Sequence, residues 1–140
     1  MIVAVIGIVS VLATPAFISY SQAARLKGAA QEVATILNQA RQVAITRNTT
    51  TCVLRDPSAN KVRFTTGTCV DTNYWTGPAT DAQGWFTLTE GINVSGASAN
   101  VVFTHLGTAS TGGTYTVLNP QTNRTLRVTV ALSGRITIGP

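Results

Sequence analysis

The first 20 residues constrain this chain more than any other segment, because nearly all of them are apolar. The run from Met1 to Tyr20 reads MIVAVIGIVSVLATPAFISY, and no charged residue occurs before Arg25. At about 1.5 Å per residue, a helix of this length spans the hydrocarbon core of a bilayer. A cleaved signal peptide would begin with basic residues and end at a small-residue cleavage site, whereas this run continues beyond Pro15 in a helical pattern. The run therefore predicts a helix that needs either lipid or other apolar helices around it.

The segment that follows, 21–47, changes from uniformly apolar to amphipathic. Its apolar residues recur at spacings of three and four, which marks one face of a helix: Leu26, Ala29, Val33, Ile36, Leu37, Ala40, Val43 and Ala44. Charged and amide side chains occupy most of the other positions. We therefore predict one helix of roughly fifty residues, about 70 Å long, whose second half lies on a sheet or bundle.

Two residues are expected to break the apolar half of this helix. Pro15 lacks a backbone N–H and would clash with the carbonyl of Val11, so we expect a kink or a short melted stretch near it. Gly7 is the second expected helix break, because glycine lowers helix stability. A proline that is merely tolerated in a membrane helix is the alternative interpretation.

Beyond residue 48 the chain becomes polar, and its apolar period falls to that of a strand. Short β-prone runs separated by turn residues lie at 50–54, 61–65, 85–88, 92–94 and 101–103. The last third predicts a hairpin and a further strand, at 115–118, 124–132 and 135–138. In the second hairpin strand, alternate residues are expected to be buried, namely Leu126, Val128, Val130 and Leu132.

These patterns together predict an α+β fold, in which the C-terminal half of a long N-terminal α-helix packs on an antiparallel β-sheet head. We expect three segments: an apolar transmembrane or filament-core helix at 1–24, its amphipathic continuation at 25–48, and a β-rich globular head at 49–140. The mean hydropathy of +0.23 is high for a soluble domain, and the N-terminal run is its cause.

Cys52 and Cys69 are the two cysteines of the chain, and both lie in the polar part. In an exported protein such a pair normally forms a disulfide, which would stabilise the head by about 3 kcal/mol in the chain-entropy model. Two unrelated buried thiols are the alternative. Two cysteines and the single histidine, His105, are too few for a usual zinc site.

No set of residues in the sequence predicts catalysis. His105 belongs to no serine–histidine–aspartate grouping, and no phosphate-binding glycine loop follows a strand. Asp56, Asp71, Asp81 and Glu90 are too widely spaced for a calcium loop. We therefore expect a protein that is not an enzyme and that needs no cofactor or metal.

Binding of an anion is a weaker possibility, since the net charge is +5. Arg55, Arg127 and Arg135 could contact DNA phosphates if they converged on one exposed surface, although solvated strand arginines are the favoured interpretation. Aromatic residues flank a loop rich in glycine and proline: Tyr74, Trp75 and Trp85. They are expected to cap the core, and an exposed sugar-binding or inter-subunit patch is the alternative.

The apolar run resembles the N-terminal signal region of type IV pilins and type II secretion pseudopilins. In that family a glycine lies within the run and a proline follows about two turns later, as Gly7 and Pro15 do here. The segment 36–54 is similar to the H-type pseudopilin and FimT-like minor pilin group, through Ala40-Arg41, Ala44-Ile45 and Arg47-Asn48. VVFTHLGTAS at 101–110 and LSGRITI at 132–138 also resemble motifs of that group.

The resemblance has two departures. It implies a glutamate near the mature N-terminus, expected some residues before Met1. No acidic residue precedes Glu32 in this sequence, so no residue is assigned the role of that glutamate. DNA-uptake members carry a Gly-Arg-X-Arg motif, whereas this chain has Gly134-Arg135-Ile136-Thr137. Only half of the DNA-binding motif is therefore present.

The resemblance and the residues together predict a structural subunit of a pilus-like filament. Its partners would be copies of itself or related pilins, packed through core residues of the apolar run: Ile2, Val5, Ile6, Ile8, Val11, Leu12 and Phe17. We expect anchoring in the inner membrane first, then an extracellular filament or a periplasmic pseudopilus. A DNA-binding minor pilin, a type II secretion pseudopilin and a membrane-anchored domain that never polymerises are the alternatives.

Overall fold

The computed structural model describes residues 2–56, 58–95 and 100–140, apart from the side chain of Leu12. A single α-helix, α1, covers Ile2–Thr46 and contains 45 residues. At 1.5 Å per residue it is about 68 Å long. The prediction of one long N-terminal helix is confirmed.

The end of α1 is set by Asn48. Its φ of 50° lies in the left-handed region, which asparagine adopts more readily than most residues. The N–H of Thr49 then donates to the carbonyl of Ala44 at 3.1 Å, and the N–H of Arg47 donates to Val43 at 2.9 Å. These bonds satisfy terminal carbonyls of the helix and turn the chain into the first strand.

Within the described residues, the head consists of nine short strands in two antiparallel sheets. The strands are β1 (Thr51–Asp56), β2 (Lys61–Thr66), β3 (Phe86–Thr87), β4 (Asn93–Ser95), β5 (Val101–Phe103), β6 (Ala109–Thr111), β7 (Gly113–Asn119), β8 (Arg124–Val130) and β9 (Ile136–Gly139). Sheet A has the order β3-β2-β1-β5-β6, and sheet B has the order β4-β7-β8-β9. The predicted antiparallel β-rich head is confirmed, while β6 and the division into two sheets were not predicted.

Gly112 is the point at which the chain leaves sheet A for sheet B. A Cβ atom at this position would lie 2.6 Å from the carbonyl oxygen of Val130. Because real Cβ contacts are never so short, only glycine allows β6 and β7 to follow each other so closely.

The core lies between the stripe of α1 and the inner faces of both sheets. Seven of the eight predicted stripe residues are 5% exposed or less, and Val43 is partly buried: Leu26, Ala29, Val33, Ile36, Leu37, Ala40 and Ala44. Sheet A contributes Val53, Phe64 and Phe103, and sheet B contributes Tyr115, Val117 and Val128. The amphipathic half of the helix is therefore one layer of the head.

Leu132 is a correction to the predicted pattern. It is 65% exposed, because β8 ends at Val130 and the alternation ends with it. The N–H of Ala131 donates to the carbonyl of Arg135 at 2.9 Å, and Gly134 donates to Ala131 at 2.9 Å, so residues 131–135 form a turn.

The helix break expected at Gly7 and Pro15 stays a prediction, although no melted stretch occurs there among the described residues. Within the described residues α1 runs without interruption through Gly7 and Pro15. Since a proline removes a single helical hydrogen bond, the flanking turns hold the helical path. A bend at Pro15 in an assembled filament stays a prediction.

Candidate functional site: an exposed apolar helix tied to its head

The apolar half of α1 is exposed on every side. Outside the described residues are Met1 and the side chain of Leu12. The other residues that are expected to pack in the filament core are 61% to 78% exposed: Ile2, Val5, Ile6, Ile8, Val11 and Phe17. The helix carries an apolar 18-residue window, none of which is buried. Such a surface is stable only against lipid or against other apolar helices.

The hydroxyl groups of this half are satisfied within the helix itself. Ser10 donates to the carbonyl of Ile6 at 2.8 Å, Thr14 donates to Ser10 at 2.9 Å, and Ser19 donates to Ala16 at 3.0 Å. A hydroxyl that already donates to the backbone needs no water. These polar residues are therefore compatible with an apolar environment around the helix.

The head is tied to α1 where the apolar half ends. Asn119, which is 1% exposed, donates from its amide to Gln22 Oε1 at 2.8 Å, and Gln22 Nε2 donates to Gln121 Oε1 at 2.8 Å. The N–H of Gln121 in turn donates to Asn119 Oδ1 at 3.0 Å. This contact fixes the β7–β8 turn against the helix, about half a helical turn beyond Tyr20.

A second tie lies near the other end of the helix and joins α1 to both sheets. Arg41 Nε donates to the carbonyl of Gly107 at 2.7 Å. A Cβ atom at Gly134 would lie 2.0 Å from that carbonyl oxygen and 3.2 Å from Arg41 Nε. Gly107 and Gly134 have φ angles of 82° and 84°, so both turns need glycine. Arg41 is therefore the point at which α1 meets both the β5–β6 turn and the β8–β9 turn.

Cys52 and Cys69 form a disulfide, as the sequence predicts. Their Cα atoms are 5.1 Å apart, and 17 positions separate the two residues in the chain. The bond attaches the start of the long loop at 67–85 to β1. The loop turn beneath it is closed by Asp71, whose carboxylate accepts hydrogen bonds from the hydroxyl and the N–H of Thr68.

The comparisons with known proteins agree with this architecture. A family model described as type II transport protein GspH matches residues 29–134. The chain belongs to the GspH family. No curated protein sequence matches the chain.

Solved structures of two relatives share the fold of this GspH-family chain. The minor pseudopilin EpsH from the type 2 secretion system of Vibrio cholerae is 20% identical, has a TM-score of 0.61, and covers 81% of this chain and 95% of its own. The type IV minor pilin FimU of Pseudomonas aeruginosa is 20% identical, has a TM-score of 0.60, and covers 86% of this chain and 92% of its own. The pilin fold is therefore shared with both a pseudopilin and a pilin.

The structure does not bring together the three arginines considered for DNA. Arg55 pairs with buried Val62 in the sheet register and is half-buried. Its Nη1 donates to the carbonyl of Val94 at 3.0 Å, so it links sheet A to the edge of sheet B. Arg127 is exposed on the outer face of β8, whereas Arg135 is exposed in the turn between β8 and β9. The register pairs Arg127 with Gly139, which places Arg127 and Arg135 at opposite ends of the β8–β9 pairing.

The three loop aromatics have two different roles. Trp75 stacks on Phe64, with 5.1 Å between ring centroids, and therefore caps the core as expected. Tyr74 and Trp85 instead enclose Arg63, whose guanidinium carbon lies 3.7 Å from the first ring centroid and 4.1 Å from the second. This cation–π stack holds the loop against the outer face of β2.

The acidic side chains support turns of the head. Hydrogen bonds from Ser58 lower the pKa of Asp56, those from Thr68 lower the pKa of Asp71, and those from the Trp85 and Gln83 backbone lower that of Asp81. Within 2–56, 58–95 and 100–140, no three histidine, cysteine or acidic residues are close enough to hold a metal ion. His105 is exposed.

Tyr115 gives the head a predicted sensitivity to alkaline pH. Burial raises its pKa from 10.0 to about 12, against smaller opposing effects of the nearby Val101 backbone and of the Arg55 charge. The unfolded chain therefore loses this proton at lower pH than the folded chain. We expect the contribution of Tyr115 to the free energy of unfolding to stay constant below pH 10. It should fall by roughly 2–3 kcal/mol as the pH rises to 12.

Tyr115→Phe is the matching variant, because the buried hydroxyl has no hydrogen-bond partner among the described residues. It should stay within about 1 kcal/mol of the parent chain at pH 7 and lose the alkaline decrease. Urea titrations of the full chain in detergent at pH 8, 10 and 11.5 measure both effects. An equal alkaline decrease in the variant would assign it to another group.

Two of these functional features were missed by the sequence interpretation. Arg41, Gly107 and Gly134 all lie within the motifs that carried the family resemblance, but the contact between them was not predicted. A glycine in a short turn between two strands is a signal for the left-handed conformation, and it could have identified this role of Gly107 and Gly134. The tie between Gln22 and Asn119 has no such signal, because 97 positions separate the two residues.

Proposed function

We propose that this GspH-family chain is a structural subunit of a type IV pilus-like filament, which polymerises through its apolar N-terminal helix and exposes its head on the filament surface. The observation that carries the proposal is the contrast within α1. One half packs a single buried apolar face on the head, whereas the other half is apolar and exposed on all sides. Packing of segment 1–24 against the same segment of related subunits would remove that apolar surface from its surroundings.

The proposed path starts in a membrane. Segment 1–24 would hold the subunit in the inner membrane, and segment 25–48 would carry the head, 49–140, outside the bilayer. During assembly the apolar segments would leave lipid for a helical bundle. Because such contacts are heterologous and do not close into a ring, they generate an open helical fibre. The product would be an extracellular filament.

A type II secretion pseudopilin is the second candidate, and the family description as a type II transport protein favours it. That subunit would assemble in a shorter, periplasmic filament. The same helix packing serves both candidates. Electron microscopy of sheared surface filaments, with mass spectrometry of their subunits, distinguishes them: abundant chain supports the pilus, whereas its absence from surface filaments supports the pseudopilus.

Assembly should be sensitive to charge in the apolar half of α1. Val9 is 61% exposed at the centre of this half, and an aspartate there would cost about 2.5–3.5 kcal/mol in an apolar environment. We expect Val9→Asp to reduce incorporation into filaments by roughly tenfold or more. The measurement is the ratio of filament-associated to total chain in cells.

Val70 provides a matched control. It is 88% exposed on the head, so Val70→Asp introduces the same charge without burying it in lipid or a helix bundle. Incorporation of this variant should stay within about twofold of the parent. Equal incorporation of Val9→Asp and the parent chain would contradict polymerisation through the apolar half.

A further inference from the structure

The head begins where the apolar segment ends, with no linker between them. A bilayer core about 30 Å thick accommodates about 20 helical residues. Tyr20 is 74% exposed, and aromatic residues of this kind prefer the membrane–water interface. Gln22, half a turn later, already holds Asn119 and Gln121 of the β7–β8 turn. With Tyr20 at the membrane–water interface and the apolar residues before it in the bilayer core, this turn therefore lies at the level of the lipid headgroups.

Three exposed basic residues surround this level, and we call them the basic collar: Arg25, Lys27 and Arg124. Arg25 and Lys27 are two positions apart on α1, so their side chains leave the helix about 200° apart. They flank Leu26, which is buried against the head. Arg124 pairs with Asn119 in the β7–β8 register, which places it beside the turn. The collar therefore presents positive charge from both sides of the helix and from sheet B.

The collar has little neutralising charge within the protein. Among the described residues, an ion pair is seen between Lys61 and Asp81, at 3.6 Å. No collar residue forms an ion pair in this part of the chain. No acidic residue follows Glu90 in the sequence, so β7, β8 and β9 contain none. Glu32 lies about 10 Å further along the helix than Arg25, and its carboxylate accepts hydrogen bonds from Thr89 at 2.8 and 3.1 Å. The remaining glutamate, Glu90, directly follows Thr89 in the chain and therefore lies near Glu32.

We propose that the basic collar binds the phosphate groups of anionic phospholipids and holds the head of the unassembled subunit against the bilayer surface. The proposal rests on the proposed membrane anchoring and specifies the lipid that the anchored state would select. Each basic side chain close to an anionic surface contributes a factor of about five to association. The helix fixes the height of the collar, so these side chains reach headgroups without rearrangement of the head.

The test uses the full chain in nanodiscs of phosphatidylcholine, with or without about 30% phosphatidylglycerol, a composition that supplies the anionic surface. A spin label at Thr122→Cys, on the exposed β7–β8 turn, reports access of a neutral water-soluble nickel chelate. The Cys52–Cys69 disulfide remains intact, so a single thiol is labelled. We expect phosphatidylglycerol to lower chelate access at least twofold, and 1 M salt, where screening acts over about 3 Å, to restore it.

Two triple variants remove the same net charge from different places. The collar variant is R25Q/K27Q/R124Q, and the matched control changes exposed arginines elsewhere, as R47Q/R127Q/R135Q. The collar variant should show equal chelate access in both lipid compositions, while the control should keep the twofold difference. A parent chain without lipid dependence, or an equal loss in both variants, would overturn the collar. Failure of the chain to co-elute with nanodiscs would instead overturn the proposed membrane anchoring, so the two failures are distinguishable.

Discussion

Replacing Gly134 with alanine is expected to destabilise the head strongly, because the added methyl group has no space. The new Cβ would lie 2.0 Å from the carbonyl oxygen of Gly107, which also accepts the hydrogen bond from Arg41. The carbonyl of Gly107 and the side chain of Arg41 hold each other in place. The β8–β9 turn must therefore move, and the hydrogen bond from Arg41 to Gly107 must lengthen or break. Together with strain at a φ of 84°, we expect a loss of about 3–5 kcal/mol in the free energy of unfolding.

Gly91 provides the matched control for this substitution. Its φ of 78° is similar, but a Cβ atom there would meet nothing within 4 Å. Gly91→Ala should therefore cost only the backbone strain, about 1–2 kcal/mol. Urea unfolding of the full chain in detergent, followed by near-ultraviolet circular dichroism, compares the two variants. Equal destabilisation would show that the contact with Gly107 has no energetic effect.

Removing the disulfide is the second change with a large expected effect. Cys52 is fully buried, and the bond to Cys69 closes a loop between residues 17 positions apart. In the chain-entropy model a loop of this length stabilises the folded state by about 3 kcal/mol. We expect the double variant C52A/C69A to lose about this amount in urea unfolding, since β1 and the loop would be joined by weaker contacts alone.

Reduction of the parent chain gives an independent measure of the same bond. It leaves both cysteines in place and should lower the midpoint of urea unfolding as the double variant does. The loop beyond Cys69 carries Trp75, which stacks on Phe64 and Phe86 at centroid distances of 5.1 and 5.9 Å. Its near-ultraviolet signal should weaken when the bond is lost. Unchanged unfolding after complete reduction would contradict a stabilising role.

The first of these expected losses acts on a requirement of a filament subunit. A head that covers the outside of a filament must stay in one position on its helix while the helix is held by neighbours. The Gln22–Asn119 contact fixes one end, and Arg41 with Gly107 and Gly134 fixes the other. Damage to the second tie should therefore loosen the orientation of the head, even in a subunit that still anchors.

The sequence by itself determined the helix, its two environments and the disulfide. The apolar run and the spacing of residues such as Leu26, Val33 and Ala40 are local patterns, and a helix converts them directly into exposed and buried faces. The chain contains two cysteines, so a disulfide within it has a single possible pairing. The strand segments near the C-terminus also followed from alternation, up to the turn at which Leu132 leaves the sheet.

Only the tertiary structure decided how the strands divide into two sheets and which side chains join them. Gly112 separates the sheets through a contact with Val130, and Arg55 turns inward to Val94 rather than outward with Arg127. Likewise, Arg41 meets two glycines that are far away in the chain. These outcomes depend on contacts between distant segments, and such contacts leave no periodic signal in the sequence because packing geometry, not local propensity, selects them.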